Sequence, residues 1–210
     1  MLALAFATLL TPATGAAPSA APFHSSPALS AFRSAWAAVT AYNATITVFE
    51  QKGSKVQTVV FKYTFRKPST VTVDVVGGPN NGVSLLWAGG ATVSAHRGSG
   101  PIRMFKKALS LHDPLVTTIR GSSIDQLSFS SILAHAQSTL GTLTERRGPT
   151  INNVATTAVT LIPVSPAANA GYTREVLEIS TTTHLPLRVL GYQGPALVRE
   201  IDFVDVRLTH

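Results

Sequence analysis

A change in the period of the apolar residues most constrains the fold of this chain. Between about residues 42 and 97, bulky apolar side chains recur at every second position, in strand-length segments separated by short turns. One segment places Val59, Phe61, Tyr63 and Phe65 on a single face. This alternation is typical of antiparallel strands with one buried face. Something must cover that face, and its identity bears directly on function.

Strand-length segments return in the C-terminal part of the chain. We predict them at residues 143–146, 154–164, 173–180, 187–192 and 197–208. With the earlier segments and a short one at 108–111, the total is about nine or ten strands and few helices. Sheets of this size tend to curl or close. The predicted fold is therefore mainly β (α+β), built on a curved antiparallel sheet.

Two segments have helical spacing. Ser26-Pro27 predicts a helix start, because Ser can cap a helix and Pro suits its first position. Apolar residues then fall on one helical face: Leu29, Phe32, Trp36 and Val39. The second segment lies within residues 121–140, where Ser123 and Gln126 have capping-box spacing. We expect this helical insertion to lie across the open side of the sheet.

Residues 1–16 predict a signal peptide, with a short apolar core at 2–10 and small residues before the expected cleavage site. Because a basic segment is missing, a disordered leader is the alternative. Residues 17–26 predict a flexible lead-in to a single domain at 27–210. We expect the mature protein to be periplasmic or secreted, without a membrane helix and, lacking cysteine, without a lipid anchor.

The sequence lacks the patterns of common catalytic and metal sites. The absence of cysteine excludes disulfides, thiolate metal sites and a Cys nucleophile. No pair of histidines has metal-ligand spacing. Pro114 follows His112-Asp113, which favours a turn contact over a hydrolase site at that pair. We predict no catalytic residues, no metal and no cofactor.

Charged residues are sparse and mostly basic. They make up 13% of the chain, about half the usual ~25%. The net charge is +7, but the cations are scattered, so no nucleic-acid partner is predicted. The densest basic group is either a solvated loop or a contact for anionic headgroups or an acidic partner. It consists of Arg97, Arg103, Lys106 and Lys107.

Half of the ten acidic residues fall on the predicted late strands. Arginines lie on the same segments, so cross-strand ion pairs are a better interpretation than a paired-acid site. The acids are Glu175, Glu178, Glu200, Asp202 and Asp205, and the arginines are Arg174, Arg188, Arg199 and Arg207.

The order of these segments resembles the LolA-like family of periplasmic lipoprotein carriers, whose relatives include sensor domains of the RseB type. The similarity covers residues 29–210. Three phrases carry it: Phe-Arg-Lys-Pro at 65–68, Leu-Trp-Ala-Gly-Gly at 86–90 and Leu-Pro-Leu-Arg at 185–188. Arg120-Gly121 followed by Ile124 resembles a DUF1571-like branch.

The resemblance implies an unclosed β half-barrel with an N-terminal helix and a helical lid, holding acyl chains of a lipid or lipoprotein. In such carriers, an Arg before the Pro of an early strand latches the lid. Lys67 stands at that place, with Arg66 before it, and Lys offers a point contact rather than a planar fork. Membrane-bound donor and acceptor proteins are the further partners implied.

Elementary energetics favour an apolar ligand. Each buried methylene contributes ~0.8 kcal/mol, so a chain of about sixteen carbons gains ~12 kcal/mol before ordering costs. Release then requires incomplete burial and a movable lid. Candidate cavity residues are Phe61, Tyr63, Phe65, Val73 and Trp87, with Phe129 and Ile132 on the lid. Each position is equally compatible with an ordinary filled core.

Two functions from different classes remain open at this point. The first is an exported, monomeric, non-enzymatic carrier that shuttles an acylated lipid or lipoprotein between envelope membranes. The second is an envelope sensor or interaction module that binds a protein or a signal lipid with the same half-barrel.

Overall fold

The computed structural model describes residues 26–97 and 107–210. The helices are α1 (Pro27–Ala38) and α2 (Phe129–Ser138), with 3₁₀ turns at Ile124–Leu127 and Ala167–Asn169. The strands are β1 (Ala41–Lys52), β2 (Lys55–Arg66), β3 (Thr70–Gly77), β4 (Val83–Trp87), β5 (Thr92–Arg97), β6 (Lys107–Ser110), β7 (Gly141–Arg147), β8 (Thr156–Pro163), β9 (Arg174–Ser180), β10 (Pro186–Gln193) and β11 (Ala196–Thr209).

Within the described ranges, eleven strands form one antiparallel sheet in the order β6-β5-β4-β3-β2-β1-β11-β10-β9-β8-β7. The first and last strands are neighbours at its centre, and the chain runs outwards from them in two meanders. The outer strands, β6 and β7, are not paired with each other, so the sheet is not closed into a barrel. The predicted mainly β, unclosed fold is confirmed. The eleven strands slightly exceed the predicted total of nine or ten.

Helix α1 begins where the sequence predicts. The Ser26 hydroxyl accepts a hydrogen bond from the Leu29 amide, and Pro27 occupies the first turn. The apolar stripe of α1 is buried on one face of the sheet, which we call the inner face. Helix α2 and its preceding 3₁₀ turn lie over the same inner face. The outer face carries the alternate side chains of each strand.

Several predictions concern residues outside the described part of the chain. The predicted signal peptide (1–16), the predicted lead-in apart from Ser26, and the candidate residues Arg103 and Lys106 all fall there. None of the described helices is long and apolar enough to cross a bilayer.

Candidate functional site

A cluster of aromatic side chains fills the centre of the inner face. The Phe129 ring, from the start of α2, stacks on Tyr42 of β1 with ring centroids 4.5 Å apart, and its centroid lies 5.0 Å from that of Phe203 on β11. Trp36 of α1 meets Phe129 edge-on at 5.9 Å. We call this group the aromatic cluster; it comprises Phe32, Trp36, Tyr42, Tyr63, Phe65, Phe129 and Phe203. The protein's own side chains therefore occupy the centre of the half-barrel.

Two tyrosines of this cluster are held uncharged by their surroundings. Burial raises the pKa of the Tyr42 hydroxyl, and burial together with the neighbouring Tyr42 raises the pKa of Tyr63. The Tyr63 hydroxyl donates a hydrogen bond of 3.0 Å to the Ile124 carbonyl. This bond fixes the 3₁₀ turn before α2 to strand β2.

The candidate cavity residues lie in four different settings. Tyr63, Phe65, Val73 and Phe129 are fully buried in the core. Phe61 borders a narrow apolar recess of about 40 Å³ between β2–β4 and the chain that precedes α2. The other two differ again: Ile132 faces a larger cavity, and Trp87 is half-buried at the end of β4, with its indole N–H donating to the Gly90 carbonyl at 2.8 Å.

That larger cavity, of about 270 Å³, lies between α2 and strands β9–β11. We call it the α2 cavity. Its volume is just below the roughly 300–1,000 Å³ of typical ligand sites. Its apolar wall consists of Ile132, Leu177, Val189 and Ile201, and its polar rim includes Gln126, Ser131, His135, Tyr172, Glu175 and Arg199. An apolar wall with a few polar groups is the usual composition of a small-molecule site.

Glu175 joins α2 to the sheet at the rim of this cavity. Its carboxylate lies 2.8 Å from the His135 ring nitrogen and accepts a hydrogen bond of 2.7 Å from the Asn169 amide. Burial acts to raise the pKa of Glu175, but the hydrogen bonds and charge of its partners outweigh it, so the pKa falls below its ordinary 4.5. Glu175 is therefore a carboxylate at neutral pH.

A second buried carboxylate lies nearby on β1. Glu50 is 1% exposed and accepts hydrogen bonds from the Arg120 amide at 2.9 Å and the Ser122 hydroxyl at 2.8 Å. The Arg199 Nε is 3.8 Å from a Glu50 oxygen, too far for a hydrogen bond. Within the described residues, the buried Arg199 Nε has no hydrogen-bond acceptor.

The predicted latch residue Lys67 contacts α1 and not the lid helix α2. Its ammonium donates to the carbonyls of Trp36 at 2.7 Å and Ala37 at 3.2 Å, and it lies 4.6 Å from the centroid of the Trp36 ring. The physical reason is that the last carbonyls of a helix lack helical partners, and a cation satisfies them. Arg66, beside it, is exposed at the end of β2.

The other end of α1 is also attached to the sheet. The Ala28 amide, in the first turn of the helix, donates to a Glu145 carboxylate oxygen on β7 at 3.0 Å. A carboxylate is the favourable partner for a helix N-terminus. Helix α1 is therefore fixed at both ends, to β7 and to the end of β2.

The charged residues on the strands divide between the two faces of the sheet. On the outer face, Arg188 contacts Asp202 at 2.6 Å, Glu200 at 3.1 Å and Glu178 at 3.9 Å, which confirms the predicted cross-strand pairing for these four residues. That prediction was wrong for Glu175, because this residue faces inwards and pairs with a histidine.

Two further predictions concern loop and edge residues. A carboxylate oxygen of Asp113 accepts from the Leu115 amide at 2.9 Å, which confirms the predicted turn contact. The described members of the basic group, Arg97 and Lys107, are exposed at the ends of neighbouring strands β5 and β6.

The strand period contains a signal for the polar groups that the sequence interpretation missed. Glu50 continues the inward series of Tyr42, Ala44, Ile46 and Val48 at spacing two. Glu175 and Arg199 are likewise in phase with buried apolar residues of β9 and β11. A charged residue that lies two positions along a strand from buried apolar residues faces the same side as they do, and it therefore predicts a buried polar site.

Comparisons with known proteins identify similar folds at low sequence identity. No protein-family model and no curated protein matches the chain. An uncharacterized conserved protein from Thermus thermophilus is 9% identical, with a TM-score of 0.52 and coverage of 87% of this chain and 86% of that one. A LolA superfamily protein from Nitrosomonas europaea is 12% identical, with a TM-score of 0.38 and coverages of 89% and 95%.

Lipoprotein LppX from Mycobacterium tuberculosis is 13% identical, with a TM-score of 0.42 and coverages of 87% and 93%. At this level of identity the similarities concern the fold alone, and the Thermus structure shares it over most of both chains. A solved structure of the LolA superfamily is among those to which this chain is similar.

Proposed function

We propose that this protein is a non-enzymatic carrier that holds an acyl chain of a lipid or lipoprotein in the α2 cavity and moves it between envelope membranes. The observation that supports this most directly is a mostly apolar vacancy of about 270 Å³ beneath a ten-residue helix. The apolar wall of this cavity favours contact with hydrocarbon over contact with water.

Helix α2 is the element proposed to move. At its exposed rim, one side-chain pair, His135 with Glu175, joins it to the sheet, while the rest of its inner contact is apolar. Apolar contacts with the sheet can be exchanged for apolar contacts with a ligand at little cost, because the hydrophobic effect is non-directional. Helix α1, fixed at both ends, provides the stationary wall.

Movement of α2 would also withdraw Phe129 from the aromatic cluster. The predicted wall residues Tyr63, Phe65 and Val73 belong to the same buried core as this ring, which also includes Phe61, and Trp87 packs against that core. We propose that these residues contact a longer chain in the open state. The exposed Arg97 and Lys107 are proposed contacts for anionic headgroups during transfer.

A vesicle-transfer assay tests this function. A pyrene-labelled acyl methyl ester is placed in donor vesicles, and its movement to acceptor vesicles is followed by excimer fluorescence, with and without protein. We expect the wild type to accelerate transfer. Val189→Phe should abolish the acceleration, because the new ring would occupy the α2 cavity.

Val76→Phe is the matched control, since Val76 is exposed on the outer face of β3. Equal transfer by Val189→Phe and by the wild type would contradict the proposed site. A wild type that neither binds nor transfers the ester would favour the second candidate, the sensor or interaction module. The specific observation in favour of that candidate is the aromatic cluster, which closes the centre of the half-barrel without a ligand.

A further inference from the structure

We propose that the α2 cavity selects a single acyl chain that ends in a carboxylate, and that Arg199 binds this carboxylate. The inference rests on the proposed function and adds the chemical class of the ligand. It follows from the unused hydrogen-bonding capacity of Arg199 at the rim of an apolar vacancy.

Arg199 is placed as a ligand-binding group would be. Its side chain is 13% exposed and lines the α2 cavity, and its buried Nε has no hydrogen-bond acceptor among the described residues. A guanidinium is a planar fork of five N–H donors that matches a carboxylate in two parallel bonds. Leaving such donors unbonded in a desolvated position is costly, and a bound carboxylate would remove that cost.

The neighbouring acidic groups are committed to other partners. One Glu50 oxygen receives the Ser122 hydroxyl and the other receives the Arg120 amide. Glu175 is bonded by His135 and Asn169 through the same oxygen. The two carboxylates offset the charges of Arg199 and Arg120, but neither accepts a hydrogen bond from Arg199 Nε, which has no acceptor among the described residues.

The dimensions of the cavity limit the ligand to one chain. Its volume of about 270 Å³ corresponds to roughly nine water volumes at ~30 Å³ each. From the rim at Arg199, a hydrocarbon chain would run along Ile201, Val189 and Leu177, beneath Ile132 of α2. This space holds one chain of medium length, and several chains side by side would not fit.

Calorimetric titration with two ligands tests the inference. Laurate and methyl laurate share one chain and differ in the charge of the head. We expect the wild type to bind laurate about tenfold more tightly than its ester, as one charge-assisted contact implies. Arg199→Gln should remove that preference and leave ester affinity unchanged, while Arg199→Lys should keep part of it. Arg207→Gln, an exposed arginine on the same strand, should behave as the wild type.

Each outcome decides between the alternatives. Equal affinity of the wild type for laurate and its ester, or a preference that survives in Arg199→Gln, would overturn the inference while leaving the carrier proposal intact. Tighter binding of dodecyl phosphate than of laurate would overturn the carboxylate assignment. If neither laurate nor methyl laurate binds the wild type, the result would count against the proposed carrier function itself.

Two further variants keep the inference testable by the same titrations if Arg199→Gln does not fold. If thermal unfolding shows that Arg199→Gln does not fold because Glu50 loses its counter-charge, the double variant Glu50→Gln/Arg199→Gln and Arg199→Lys replace it. Loss of the laurate preference in the double variant supports the inference, and retention overturns it.

Discussion

The two halves of the inner face are built from the same kind of strand and yet are filled differently. Over β1–β4, the aromatic cluster and the chain before α2 leave a recess of only about 40 Å³. Over β9–β11, the strands bury similar apolar residues, but a cavity of about 270 Å³ remains beneath α2. The difference arises because bulky rings converge on the first half, whereas Ile132 is the one apolar residue of α2 that lines the cavity with Val189, Leu177 and Ile201.

This contrast separates stability from binding. A close-packed half gains dispersion contacts and tolerates little change in volume. A half with a vacancy loses some of those contacts, and a ligand can restore them. We therefore expect substitutions in the first half to act mainly on the free energy of unfolding, and substitutions in the second half to act mainly on ligand affinity.

The largest expected effect is that of Phe129→Ala. This fully buried ring contacts four other members of the aromatic cluster, so its removal should lower the free energy of unfolding by about 3–5 kcal/mol. Ile132→Ala, one turn later on α2, should cost only about 2 kcal/mol because its side chain already borders a vacancy. Urea unfolding measures both, and equal losses would break the contrast between the halves.

Small-to-large substitutions provide the converse comparison. Val73→Leu adds a methylene to a fully buried position in the filled half, so we expect a loss of about 1–3 kcal/mol. Val189→Leu adds the same group beside the α2 cavity and should cost less than about 1 kcal/mol. Thermal unfolding of the two variants compares them directly, and a larger loss for Val189→Leu would show that the cavity is not available space.

The fixed position of α1 can be tested through Lys67. Lys67→Met removes a cation from the helix C-terminus and from the face of Trp36, so we expect a loss of about 1 kcal/mol. Lys62→Met, on the preceding strand β2, is the control because among the described residues its exposed ammonium donates to the Thr45 hydroxyl alone, and it should stay within about 0.5 kcal/mol of the wild type. Identical unfolding midpoints in urea for both variants would argue against a structural role for Lys67.

The smallest effects concern two carboxylates on opposite faces of β9. The pKa of Glu175 is lowered by its partners, so its contribution to stability is present above its unfolded pKa and is lost as the pH falls through the folded value, below 4.5. Glu175→Gln should therefore destabilise the protein at pH 7, and its difference from the wild type should shrink in acid.

The pKa of Glu178 is shifted in the opposite direction to that of Glu175. Burial raises its pKa above 4.5 despite the nearby Arg188, so its charged form is disfavoured in the folded state. Glu178→Gln should leave stability at pH 7 unchanged or slightly higher. Unfolding free energies of both variants between about pH 3 and pH 7 would test the signs, and parallel pH profiles would contradict them.

The sequence predicts the elements well and the site only in part. Alternation identifies the inward side chains of β1, β2 and β3, and the Ser26-Pro27 pair identifies the start of α1. The pairing of β1 with β11 is not visible locally, because no period links residues that are far apart in the chain. The position of the α2 cavity is similarly hidden, since a vacancy depends on how side chains from several elements fit together.

The candidate residues illustrate this limit. Phe129 and Phe65 are on the inner face as expected, yet their rings meet the aromatic cluster and close the space that their hydrophobicity suggested. Lys67 is near a helix, as the resemblance implied, but that helix is α1. Glu50 and Arg199 could be identified from the strand period alone, because each places a charge at a position where the period of two predicts an inward apolar residue.

The adjacency of β1 and β11 has a consequence for how the chain acquires its structure. Pairs such as Ala41 with Thr209 join residues that are far apart in the sequence, and they connect two meanders that are each local in sequence. A nascent chain that lacks the fourteen residues of β11 would have two separate sheets with β1 and β10 as open edges. Such distant pairing slows folding. Completion of the structure therefore waits for the final strand, and until then the nascent chain is vulnerable to edge-to-edge aggregation.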